Sequence, residues 1–180
     1  MYTPGRHTLF TRRAFTNAAV IAGTATCLPS FPAWPAGTAD ALCIMCIDHR
    51  LVNGGIGFFN AQFPAPRSYD LAAFAGASLA GVLSKFPESV PGFWKQIELA
   101  KALHDIRKVV VLDHLECGAF QQQFNDGKPM EQTAEIVAHE ATMRDVRKAF
   151  RELYPTGMGL EFFIMHVEND RPGNVDPITL

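Results

Sequence analysis

Two short apolar runs, each breaking off into charged and metal-ligating side chains, constrain this chain more than any other feature. Ala41 to Ile47 reads Ala-Leu-Cys-Ile-Met-Cys-Ile and stops at Asp48-His49-Arg50. Val109 to Leu112 is Val-Val-Val-Leu and runs on into Asp113-His114-Leu115-Glu116-Cys117-Gly118. Runs this short and continuously apolar suit strands buried on both faces, the condition of a parallel sheet. Elsewhere apolar residues recur at helical spacing. Phe93, Ile97, Ala100, Leu103 and Ile106 form one such stretch; Ile136, Met143, Val146, Phe150 and Leu153 form the inner side of a long amphipathic segment from Glu131 to Leu153. Leu160 to Val167 is expected to be a last strand. Leu51 to Pro91, rich in Gly, Pro and Phe, reads as irregular apart from an Ala-rich helical piece over Leu71 to Leu83. Strands alternating with helices predict an α/β fold, a central and mostly parallel β-sheet flanked by helices.

Composition narrows the class further. The chain has 180 residues, 48% of them hydrophobic, with 16 basic and 18 acidic side chains and a formal net charge of −2. An unfolded chain is excluded by that apolar content, and the length suits one domain with a real core. There is no basic excess or cluster for nucleic acid to bind. Its 4 cysteines are too few for a disulfide scaffold.

The first 39 residues read as something other than fold. Thr11-Arg12-Arg13-Ala14-Phe15-Thr16 precedes an uncharged stretch from Asn17 to Pro29, and a Pro/Ala-rich segment follows to Ala39. A positive segment, a short apolar one and a small-residue boundary are the layout of an export signal. Paired arginines with Phe two positions on resemble the twin-arginine type. The apolar stretch is shorter than the ~20 residues that span a bilayer. The expectation is a cleaved signal over 1–39, a single domain over 40–180 without a stable membrane span, and a periplasmic or secreted bacterial protein. The tail from Glu168 to Leu180 is expected to reach a neighbouring subunit or to be disordered.

Open α/β sheets place their ligand sites at the carboxyl ends of strands, where both polar clusters fall. Alternation along a strand sends Cys46, Asp48 and Arg50 to one face and Cys43, Ile47 and His49 to the other. His114 and Cys117 stand at a turn into the next helix. Two thiols and an imidazole are good zinc ligands, and three protein ligands with one open position is the catalytic arrangement. Cys43 offers an alternative, because Cys43-x-x-Cys46 with His114-x-x-Cys117 has the ligand count of a closed structural site. A regular strand opposes it by pointing Cys43 and Cys46 apart. His49, His104, His139 and His166 are expected at the surface or in ordinary packing.

C-x-D-x-R from Cys46, followed 68 residues after that cysteine by H-x-x-C, resembles the β-class carbonic anhydrase family. The stretch Val-Val-Val-Leu-Asp-His-Leu-Glu-Cys-Gly-Ala is similar to that family's strand and second ligand motif, and the likeness runs from about Ala41 to Phe120. The resemblance implies zinc on Cys46, His114 and Cys117, a catalytic dyad of Asp48 and Arg50, and a sheet-centred homodimer or a larger homo-oligomer of it. It also implies reversible hydration of carbon dioxide to bicarbonate and a proton by zinc-bound hydroxide, with Asp48 taking a hydrogen bond from that hydroxide and Arg50 orienting Asp48. Where the family carries a segment close to Arg-Asn-Ala-Gly-Asn, this chain has Ala73-Phe74-Ala75-Gly76-Ala77, which keeps only Ala-Gly. Phe58, Phe59, Phe63, Phe74 and Phe86 could line an apolar pocket or fill a dimer core. Two further functions fit the same residues: hydrolysis of carbonyl sulfide or carbon disulfide, and a non-catalytic zinc-binding or assembly role.

Overall fold

Each apolar run becomes a strand buried from end to end or nearly so: β1 (Ala41–Cys46) and β3 (Lys108–His114). In the computed structural model, residues 37–66, 68–82 and 84–180 are described; the expected twin-arginine segment lies outside the described residues except for positions 37–39. The remaining strands are β2 (Tyr69–Phe74), β4 (Gly159–Glu168) and β5 (Arg171–Ile178), in the sheet order β2-β1-β3-β4-β5. β2, β1, β3 and β4 run parallel, and β5 pairs antiparallel with β4. The helices are α1 (Val52–Gln62), α2 (Ser89–His104), α3 (Gly118–Phe124) and α4 (Gln132–Leu153).

Strand alternation splits the core in two. Leu42, Ile44, Val109 and Val111 face α2 and α4, meeting Phe93, Ile97, Met143, Val146 and Phe150. Ala41, Cys43, Met45, Val110 and Leu112 face the other way, onto Leu51, Phe59 and Met165. Covering both faces is what the unbroken apolar runs require. Strand order reverses between β1 and β3: the chain leaves β1 for β2 on one side, then returns through α2 to β3 on the other. A crevice opens at the carboxyl ends of two such strands, and Cys46 and His114 are their last residues.

Several expectations are corrected. The stretch read as irregular contains α1, whose sequence Val-Asn-Gly-Gly-Ile-Gly-Phe-Phe-Asn-Ala-Gln is weakened as a helix signal by three glycines. A Cβ at Gly54 would collide with the Pro172 ring, so close approach of α1 to β5 accounts for one of them. The helical piece expected from Leu71 is instead β2 followed by a 3-10 turn, Ala77–Gly81; alanine has no preference strong enough to resist pairing with β1. The tail is β5, joined to β4 by Asn169-Asp170 with φ of 52° and 60°, the two left-handed residues of a tight hairpin. Its Pro172 and Pro177 are tolerated because β5 is an edge strand. Leu103 and Leu153 are 56% and 53% exposed rather than inner, and α2 stops at His104, with Asp105 in the left-handed conformation. The five phenylalanines have partners within the chain: Phe58 on Phe163, Phe63 on Tyr69, Phe74 on Phe93, Phe59 in the α1-side core, and Phe86 against the cluster of Cys46, Leu79, Cys117, Phe120 and Ala138.

Candidate metal centre

Cys46 ends β1 with its side chain on the face opposite to Cys43, as alternation requires. Across the crevice His114 ends β3, and three residues on Cys117 caps α3. The closed four-ligand alternative does not form: the cluster brings together Cys46, His114 and Cys117, with their donor atoms within 4.8 Å of one another, all three residues buried. Cys43 lies in the other core layer, where burial pushes its thiol up to about 12, an inert state.

The donors fit a tetrahedral cation on two counts. Two Zn–S bonds of about 2.3 Å at a tetrahedral angle separate their sulfurs by roughly 3.8 Å; the two Sγ atoms are 4.0 Å apart. His114 Nδ1 donates to the Leu115 carbonyl at 2.7 Å, which fixes the tautomer and leaves the Nε2 lone pair free. That Nε2 is buried and has no hydrogen-bond partner within the protein. A buried ring nitrogen oriented through its other nitrogen, with two sulfurs within reach of it, suits a ligand histidine. Cys46 is drawn toward the thiolate by the Cys117 thiol first, against burial, with His114 and the Gly76 N–H adding to it. The same sulfur contact pushes the Cys117 thiol up, and a cation bound between the two sulfurs would favour both thiolates.

Gly76 is a residue that reading the motifs alone undervalues. Its N–H donates to Cys46 Sγ at 3.3 Å, from a backbone at φ 72° that a side chain would strain. This is the surviving Ala-Gly of the segment that otherwise lost its polar residues.

Asp48 and Arg50 lie beyond β1, which ends at Cys46, so strand alternation does not set their direction. Asp48 caps a 3-10 turn, His49–Leu51, accepting the Arg50 N–H at 3.0 Å. The Arg50 side chain then folds back on the same carboxylate, with Nε 3.1 Å from Oδ1 and Nη2 2.8 Å from Oδ2. That grip holds Asp48 below the usual carboxylate range, burial opposing it. Asp48 Oδ2 is 4.0 Å from His114 Nε2, so the carboxylate stands beside the donor cluster while Arg50 holds it. Arg50 also reaches Asp170 Oδ1 at 3.1 Å and the Glu116 carbonyl at 3.2 Å. The hairpin tip of the tail therefore supports the dyad, a role its sequence did not disclose. Met45, Leu51, Leu112 and Met165 complete a small, largely apolar hollow with Cys46, Asp113 and His114.

Of the remaining histidines, His49 is exposed, His104 pairs with Asp70 at 2.7 Å and His166 with Asp176 at 2.9 Å. His139 departs from ordinary packing. Its Nδ1 is 2.8 Å from Asp113 Oδ2, and its ring lies on Phe120 with centroids 3.6 Å apart. Burial alone would lower its pKa, but Asp113 and Glu135 outweigh that and raise it. Glu135 is lowered on balance: burial raises it, and His139 with two backbone N–H groups prevails.

Sheet order, strand-end site and solved relatives together define the class: this chain has the fold of the β-carbonic anhydrases. The β-carbonic anhydrase CafA of Aspergillus fumigatus superposes with a TM-score of 0.53 at 15% identity, over 79% of this chain and 76% of that one. The β-carbonic anhydrase CcaA gives 0.53 at 14% identity, over 80% and 78%. At such identities the likeness is one of fold. By sequence the chain belongs to the same family as an uncharacterized protein of Rickettsia bellii (strain RML369-C), to which it is 30% identical over 117 residues, 65% of this chain and 71% of that protein. An uncharacterized protein of Rickettsia conorii is likewise 30% identical over 117 residues, spanning 62% of its length. No protein-family model matches the chain.

Proposed function

We propose that this protein is a zinc enzyme that reversibly hydrates carbon dioxide, a lyase acting as a carbonic anhydrase. The observation that carries the reading is the buried, unpartnered Nε2 of His114 grouped with the sulfurs of Cys46 and Cys117, with an Arg-held carboxylate beside them. Cys46, His114 and Cys117 hold the metal. Zinc supplies a Lewis acid that makes hydroxide available near neutral pH. Asp48, kept ionised by Arg50, accepts a hydrogen bond from the attacking oxygen and orients it. An ionised Asp48 has no proton to donate, so it selects a nucleophile that carries one. The Gly76 N–H offsets charge on Cys46, which favours keeping both thiolates beside the ion. Met45, Leu51, Leu112 and Met165 give the hollow beside the donors a mostly apolar wall, though at about 10 Å³ it is no larger than a water. Nothing in that wall separates carbon dioxide from carbonyl sulfide or carbon disulfide, so hydrolysis of these is the second reading. The working unit is a homodimer or a larger homo-oligomer, and the twin-arginine segment directs it to the periplasm or outside a bacterial cell.

Stopped-flow measurement of proton release from carbon dioxide tests the reading. Zinc-loaded protein is expected to accelerate hydration. Asp48→Ala is expected to keep its zinc while kcat/KM falls by about 10²-fold or more, the scale of a lost proton acceptor. A zinc-loaded wild type that leaves the rate unchanged rejects the carbonic anhydrase reading, and turnover of carbonyl sulfide by the same sample selects the second.

A further inference from the structure

Beneath the donor cluster lies a buried polar group that the catalytic reading does not use. Glu135, in the first turn of α4, accepts the N–H of Glu116 on Oε2 and that of Cys117 on Oε1, both at 2.9 Å. Glu116 has φ 57°, a left-handed residue. A left-handed step can turn successive N–H groups to one side, forming a nest for an anion. Here the anion is a side chain of the protein itself. One turn along α4, His139 bonds Asp113, whose carboxylate also takes the N–H and hydroxyl of Ser78. Ser78 belongs to the turn that follows Gly76, the donor to Cys46.

A serine, a histidine and an aspartate meeting in this way do not make a nucleophile. Ser78 donates to Asp113 rather than to His139, and all three are essentially inaccessible to solvent. The bonds connect backbone segments instead. Through Glu135 the loop bearing Cys117 is tied to α4; through His139 and Asp113, α4 is tied to the end of β3 where His114 begins; through Ser78, β3 is tied to the turn that contacts Cys46. Each of the three donors is braced by a different one of these ties.

We propose that Glu135, His139 and Asp113 are positioning residues of the metal centre: α4 reaches the donors by two separate arms, Glu135 on the N–H groups of Glu116 and Cys117 and His139 on Asp113, with 3.9 Å between Glu135 and His139, and together these arms fix the separation of the Cys46, His114 and Cys117 donors. The proposal rests on the metal reading above and goes beyond it, because it assigns tightness and geometry of metal binding to a helix that supplies no ligand. Groups that orient ligands change metal affinity by about 10- to 100-fold when altered.

The test uses the full zinc-loaded chain, following zinc release to a chromogenic chelator, and cobalt-substituted protein, following its thiolate-to-metal and d–d absorption. Glu135→Gln leaves one of the two N–H groups facing an amide N–H, and is expected to speed release by about 10-fold or more and to displace the cobalt bands. His139→Phe keeps a ring on Phe120 but removes the imidazole donor to Asp113, leaving only those of Ser78, and is expected to act in the same direction. His139→Asn presents an amide N–H near the position of Nδ1 and is expected to return release toward the wild-type rate. If Glu135→Gln does not fold, the two His139 variants make the same comparison. Variants that lose thermal stability yet release zinc at the wild-type rate with unmoved cobalt bands overturn the proposal and leave the zinc reading standing. A wild-type chain that retains neither zinc nor cobalt overturns both.

Discussion

Arg50 is the side chain through which three separate segments meet: its own turn at Asp48, the ligand loop at Glu116 and the hairpin tip at Asp170. Arg50→Gln removes the fork that holds Asp48, and at pH 7 the folded state is expected to lose about 1–2 kcal/mol. The sign of the pH dependence follows from Asp48 being lowered in the folded state. Its contribution is complete above the unfolded carboxylate value and disappears as pH falls through the folded one. Urea midpoints of wild type and variant are therefore expected to differ at neutral pH and to converge in acid. In the variant the Asp48 carboxyl is expected to titrate at higher pH by NMR. Equal midpoints at pH 7 would show that the Arg50 fork contributes nothing to the stability of the turn.

At the scale of elements, α1 shows how packing overrides propensity. Three of its 11 residues are glycine, yet it forms a helix because Phe59 and Leu51 before it bury against β1 and β3. Its glycines are not equivalent. A Cβ at Gly57 meets nothing within 4 Å, whereas one at Gly54 would collide with Pro172. Gly57→Ala is expected to raise stability by about 0.5–1 kcal/mol through helix propensity alone. Gly54→Ala gains the same local preference but must push β5 away, so it is expected to lower stability by about 1–3 kcal/mol. Thermal melts of the two variants check this, and movement of both in one direction would contradict the close α1–β5 contact.

For the molecule as a whole, metal and fold are expected to be linked, since the donors come from strands brought together only by folding. One zinc per chain is expected by elemental analysis. Stripping it with a chelator should lower the melting temperature, and Cys46→Ser should abolish the difference. Light scattering is expected to give a mass at least twice that of the 19.8 kDa chain, or of its signal-cleaved form. No helix among the described residues is long and apolar enough to cross a membrane. In an expressing bacterium, Arg12→Lys with Arg13→Lys is expected to keep the protein in the cytoplasm, read by cell fractionation. Export unaffected by that change would reject the twin-arginine reading.

Residue types with the strand and helix periods determined the two buried strands and the helices α2 and α4, because these follow from patterns a few residues long; that Cys46, His114 and Cys117 share one sheet end followed from the rule that open α/β sheets place their sites at the carboxyl ends of strands. Asp48 and Arg50 were legible as a pair by the same reasoning, though a 3-10 turn rather than strand alternation brings them together. Only tertiary structure decided the rest. Helix α1 and strand β5 exist because each has a partner to bury against, and their local signals, glycine in one and proline in the other, point away from the structure adopted. Glu135 and His139 looked like one more acid and one more imidazole on an amphipathic helix; their meaning comes from Glu116, Cys117 and Asp113, which lie 18 to 26 residues away and are neighbours only in space.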